Sequence, residues 1–146
     1  SNYNPVSGID GIKATACFES PEGRRVAVIN LGIEITSTQR LEMLKAIDWA
    51  SHNSMPALIE SFAQAALVPR VDAAGHLRSA AILNASISEQ DSYTLRLRNV
   101  DPGAKTFIWK KNGCKDVKLK PRYEGDDVIL TVPALEGWNF GWIAVK

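Results

Sequence analysis

The stretch KTFIWKKNGCKDVKLKPRY, Lys105 to Tyr123, decides the class of this fold. Two short runs, KTFIWKK and KDVKLKPRY, meet at Asn112-Gly113, the dipeptide that best suits a tight hairpin turn. Lys118, Lys120 and Arg122 alternate with Val117, Leu119 and Pro121, as the solvent face of a strand does. Upstream, YTLRLRN sets Tyr93, Leu95 and Leu97 on one face and Thr94, Arg96 and Arg98 on the other. ALVPRVD and LRSAAILNAS flank the turn AAGH, with Gly75 supplying the reversal, while DDVILTVP and WNFGWIAVK follow downstream. Seven short runs with turn residues between them predict a seven-stranded antiparallel β-sandwich over residues 65–146.

Residues 1–64 follow a different grammar. IKATACF reads as a strand, SPEG (Ser20–Gly23) as a turn, and RRVAVINL as a strand buried on both faces. The last reading rests on the apolar run Val26 to Leu31, interrupted only by Asn30. After GIEI comes TSTQRLEMLKAIDWASHN, where Thr36 and Gln39 stand at the spacing of a capping box. At 100° per residue Leu41, Met43, Leu44, Ile47 and Ala50 fall on one half of the helical wheel, with Glu42, Lys45 and Trp49 opposite. Burying Leu41, Leu44 and Ile47 should contribute roughly 1.5–3 kcal/mol each, enough to dock the helix on a sheet. Asp48 sits at the edge of the apolar face, where a carboxylate needs a partner. SHNSMP ends the helix. The expectation is therefore an α+β chain: a short α/β segment, strands plus one amphipathic helix, packed on the sandwich. Leu41, Leu44, Ile47 and Trp49 are its interdomain packing residues, with Trp49 covered by the β region or by another domain.

With 146 residues, 45% hydrophobic and 23% charged, the chain can bury a sizeable core. A net charge of +1 supplies no global field toward nucleic acid or an anionic membrane, and no apolar run approaches the length of a membrane span. The opening SNYNPVSGIDG has no initiator Met and no strong periodic pattern, so a mature or excised fragment is expected. Cys17 and Cys114 lie far apart, leaving open one disulfide or two separate thiols.

Residues Gly23 to Leu31, then Arg40-Leu41 and Ala46-Ile47-Asp48-Trp49, resemble the last strand and helix of a class I glutamine-amidotransferase-like, flavodoxin-like domain. Such domains occur as non-amidotransferase modules in multidomain bacterial glycoside hydrolases and their relatives. A small β-sandwich often follows there, much as AALVPRVDAAGHLRSAAILNASIS opens the second region here. The resemblance covers the closing quarter of such a domain plus the sandwich. The family's Gly-x-Cys-x-Gly nucleophile elbow has no counterpart, because Cys17 sits in TACFE without a neighbouring glycine; no catalytic residue carries over. The resemblance implies a non-catalytic C-terminal accessory or structural region of a larger bacterial carbohydrate-active protein, in the periplasm or outside the cell. Its implied partners are other domains of the same polypeptide, with a homo-oligomer as a further expectation and no cofactor.

The residues offer little local chemistry. His52 falls at the helix end and His76 in a hairpin turn, and no Gly-x-Ser-x-Gly surrounds a serine. The two histidines and two cysteines lack metal-ligand spacing. EGDD (Glu124–Asp127) reads as a solvated turn, since it lacks the alternating ligands of a calcium loop. Nothing in the sequence marks Glu19, Glu60 or Glu136 as a catalytic carboxylate. The lysines of the opening stretch read as a solvated, edge-protecting face. The aromatic residues of EGWNFGWIAVK carry the one binding expectation. Trp138, Phe140 and Trp142 share a strand face at roughly 6–7 Å spacing; they either pack inward or present a platform on which an oligosaccharide stacks. If Ile143 and Val145 point into the core, Trp142 must point outward.

Overall fold

The computed structural model describes residues 2–13, 15–30 and 36–146. The chain is β-rich with one described helix, and it divides into two compact units, Ser1–Met55 and Pro56–Lys146. The division lies upstream of the 64/65 boundary expected from composition, because Ala57–Ile59 already pairs into the second unit's sheet.

In the first unit, β1 (Asn4–Val6), β2 (Thr15–Glu19) and β3 (Arg25–Ile29) form an antiparallel meander, with Val6, Cys17 and Ala27 in register. Helix α1 (Ser37–Ala50) starts as its sequence predicts. The Gln39 N–H donates to Thr36 Oγ1 (3.2 Å), and the Thr36 N–H donates to Gln39 Oε1 (2.9 Å). The helix ends where His52 and Asn53 both turn left-handed (φ 57° and 56°), the Asn53 N–H reaching back to the Asp48 carbonyl at 2.8 Å.

Contacts from α1 identify the covered side of the meander. Thr15 Oγ1 donates to Glu42 (3.1 Å), and the Arg25 guanidinium lies 4.9 Å from the Trp49 ring centre while donating to the Trp49 carbonyl. Thr15, Cys17, Arg25 and Ala27 therefore face the helix, and Cys17 is buried. Val26 and Val28 point the other way and are 40% and 55% exposed. This corrects the reading of Val26 to Leu31 as a strand buried on both faces: among the described residues, only one face of β3 has a cover within its unit. Leu31 and GIEI lie outside the described residues.

The wheel reading of α1 also shifts. Ala46, Asp48 and Trp49 are buried, Leu41 and Leu44 are half-buried, and Ile47 is 46% exposed. Arg25, brought alongside on β3, lies over the indole, an amphipathic surface that accepts a cation on its face, so the Trp49 side of the helix meets the meander.

The second unit holds nine strands where seven were expected: β4 (Ala57–Ile59), β5 (Ala65–Val71), β6 (Leu77–Asn84), β7 (Gln90–Leu97), β8 (Phe107–Lys111), β9 (Val117–Leu119), β10 (Arg122–Glu124), β11 (Asp127–Leu135) and β12 (Phe140–Val145). They make two antiparallel sheets, β10-β11-β7-β4 and β5-β6-β12-β8-β9. Two causes account for the difference. β4 is too short to register as a periodic run, and KDVKLKPRY is split at Lys120-Pro121. Proline lacks an N–H for the ladder, so the chain leaves one sheet there and joins the other. The Asn112-Gly113 hairpin is also wider than a two-residue turn: Cys114 N–H closes on the Lys111 carbonyl, but pairing resumes only at Val117.

Both sheets feed one core. Tyr93, Leu95, Leu97, Val128, Leu130 and Val132 come from the four-stranded sheet; Leu77, Ile82, Phe107, Trp109 and Ile143 come from the five-stranded one. With Ile143 and Val145 buried, the alternation of β12 sends Phe140, Trp142 and Ala144 outward.

Candidate functional site

The register of the five-stranded sheet lays out its outer face as three cross-strand rows. Ala66, Leu83 and Phe140 form one row; Val68, Ala81, Trp142 and Lys110 form the next. Arg70, Ser79, Ala144, Ile108 and Lys118 form the third. Apolar side chains dominate the first two rows yet remain in contact with solvent: Phe140 is 51% exposed, and Val68 and Leu83 are also exposed. The Phe140 and Trp142 rings are nearly parallel, 24° apart in plane, with centroids separated by 6.3 Å.

Trp138 does not belong to this strand face. It sits in the turn before β12 with a left-handed backbone (φ 56°) and is 65% exposed. Its N–H donates to the carbonyls of Asn84 (3.0 Å) and Ser86 (3.1 Å). The expected three-ring stripe is thus two rings on the strand and a third beyond its end, because pairing of β12 begins only at Phe140.

The end of the sheet is tied down by a residue that the sequence does not single out. Asn84 is buried, and its amide donates to the carbonyls of Leu135 (2.9 Å), Ser88 (2.9 Å) and Glu136 (3.1 Å), while its Oδ1 accepts from the Ser86 N–H (3.0 Å). This knot joins the β6–β7 loop to the β11–β12 turn that carries Trp138. The only sequence signal was an Asn at the inward phase of LRSAAILN, where a core strand ordinarily carries an apolar residue.

The carboxylates weighed for catalysis are engaged in ion pairs: Glu19 with Arg25 at 3.1 Å, Glu60 with Arg96 at 2.5 Å, and Glu136 with Lys111 at 2.6 Å. Arg96 also donates to Glu124 (2.5 Å) and Asp127 (2.9 Å), and its hydrogen bond to Glu60, with these two adding to it, holds its guanidinium well above the ordinary arginine range. Glu124 and Asp127 of EGDD are therefore tied to Arg96, with Gly125 and Asp126 forming the turn between them. His76 lies in the β5–β6 turn beside Asp72, 3.8 Å away, and His52 lies at the end of α1. Cys17 and Cys114 are free thiols, one buried and one exposed; burial, with Glu42 adding to it, pushes the Cys17 thiol up. Among the described residues no group of three or more His, Cys, Asp or Glu is placed to hold a metal ion, and no helix is long and apolar enough to cross a membrane.

A cleft of about 550 Å3 opens at one end of the second unit, with His76, Asn99, Asp101, Tyr123 and Asp126 among its lining. Arg78 ties Asp101 to Asp72, at 3.1 and 2.7 Å, so part of that lining is committed to structure.

The class these features define is a β-rich α+β chain whose second unit exposes an aromatic and apolar sheet face. Comparison with family models, curated proteins and solved structures returned no match to this chain.

Proposed function

We propose that residues 56–146 form a β-sandwich module that binds carbohydrate on the outer face of the five-stranded sheet, as a non-catalytic accessory to a larger carbohydrate-active protein. The observation that carries this reading is the Phe140–Trp142 pair, two nearly parallel rings 6.3 Å apart on an open sheet face. Aromatic rings bury a large apolar area, and a pyranose offers them a flat face of C–H bonds. A cluster of exposed apolar side chains is uncommon on a soluble protein without a binding role, and here it is continuous from Val68 through Leu83 to Phe140. The accessory setting, with residues 1–55 as the closing part of an amidotransferase-like domain, rests on the sequence resemblance of residues 23–51.

Tryptophan fluorescence titrated with oligosaccharides tests the binding role. A saturable shift or quench is expected in the intact chain and is lost in Trp142→Ala. No response up to millimolar ligand in the unaltered protein would exclude it.

A further inference from the structure

We infer that the ligand of this face is an acidic glycan, a chain bearing uronate or sulfate groups; the inference rests on the carbohydrate reading and narrows it. The outward grid of the five-stranded sheet has twelve positions, and its charged members are all cations: Arg70, Lys110 and Lys118. Lys110 stands directly across from Trp142 in the ladder and is paired with Asp116, in the loop beyond the grid. Arg70 and Lys118 have no carboxylate partner among the described residues, and both are exposed.

Their placement matters as much as their sign. Arg70 is on β5 and Lys118 on β9, the two edges of the sheet, and one row connects them through Ser79, Ala144 and Ile108. At the usual strand separation that row spans roughly 19 Å, with the aromatic pair rising from the middle strand between its ends. A sugar stacked on Trp142 therefore has a cation within side-chain reach on either side. Cations on edge strands also discourage edge-to-edge pairing, and that role alone predicts no preference among sugars.

The charge on the ligand separates the alternatives. Calorimetric titration of the full chain would use an oligogalacturonate, a sulfated oligosaccharide and a neutral gluco-oligosaccharide of matched length, at low and high salt. Acidic oligomers are expected to bind about tenfold tighter than the neutral one at low salt. That advantage should shrink at high salt, since exposed charges are screened beyond about 10 Å at 0.1 M. Arg70→Gln combined with Lys118→Gln should remove the preference and leave neutral binding unchanged, with circular dichroism confirming the fold. Equal or tighter binding of the neutral oligomer overturns the acidic assignment while the carbohydrate reading stands. Binding of inorganic polyphosphate as tight as that of the acidic sugars, unaffected by Trp142→Ala, overturns the acidic-glycan assignment by showing a general polyanion surface. No binding of any oligosaccharide overturns both readings.

Discussion

The Trp109 indole occupies the space that a side chain on Gly141 would need: a Cβ there would stand 2.4 Å from Trp109 Cζ2 and 2.9 Å from the Lys110 carbonyl. Gly141 lies between Phe140 and Trp142 on β12 and faces inward, so this inward contact supports the strand that displays both rings outward. Gly141→Ala should destabilise the protein by about 1–3 kcal/mol, the usual cost of overpacking a filled core. Urea denaturation of Gly141→Ala against the same change in a Trp109→Leu background checks the mechanism. The penalty should fall sharply once the indole is gone, and an unchanged penalty would locate the cost in the backbone instead.

Asn84 should be among the costliest polar residues to remove. Asn84→Ala would strip three carbonyls and one N–H of their partner, the Leu135 carbonyl in a buried setting and the others part-buried, a loss of about 1–3 kcal/mol for the buried group left unsatisfied. Amide hydrogen exchange should also accelerate at Ser86 and Trp138, in the loop and turn that the side chain joins. A stability change below about 1 kcal/mol would show that the knot is replaced by water.

Tyr93 presents the opposite case. Its ring is fully buried in the shared core, yet its hydroxyl has no hydrogen-bond partner, and burial raises its pKa. Tyr93→Phe removes an unsatisfied group and leaves the ring in place. It should therefore be neutral or stabilising by up to about 1 kcal/mol, as read from thermal unfolding. A clear loss of stability would mean that the hydroxyl has a bridging water in solution.

The surface ion pairs set the pH response. Hydrogen bonds from Lys111, from Arg96 and from the His76 backbone lower the carboxyl pKa values of Glu136, Glu124 and Asp72 respectively. A carboxylate lowered in the folded state stabilises fully above its unfolded pKa and loses that contribution as pH falls through the folded value. The melting temperature should therefore hold through neutral pH and fall below about pH 4. Lys111 is shifted upward, first by its hydrogen bond to Glu136. Its contribution is complete below the unfolded lysine pKa and disappears as pH rises through the folded value. Glu136→Gln should consequently flatten both limbs of the profile, and a profile unchanged on either side would refute the pairing in solution.

Much of the local structure was legible in the residues themselves. The capping box of Thr36 and Gln39 depends on neighbours a few positions apart, so sequence spacing suffices to find it. SHNSMP marks the region of the stop, although the left-handed turn at His52 and Asn53 that makes it was not read from the residues. Strand alternation is equally local, which is why Leu95 and Leu97 could be grouped on one face of β7 and why Trp142 could be tied to the opposite face from Ile143.

Alternation sorts residues onto two faces but does not say which face acquires a cover. Val26 and Val28 looked internal because the run is apolar, yet only the opposite side of β3 meets α1. Trp49 stood among charges on the wheel and was expected to find its cover in the β region or another domain, yet Arg25, 24 positions away in sequence, lies over its ring from within its own unit. The split of residues 117–124 between two sheets, the hydrogen bonds of Asn84 and the outward grid around Phe140 and Trp142 are likewise products of strand order. The residues alone determined the antiparallel β character of residues 65–146 and the start of the helix, whereas the antiparallel meander β1-β2-β3 was not legible in the α/β pattern of residues 1–64. Tertiary structure decided which side chains are exposed, because burial depends on surfaces brought together from distant parts of the chain.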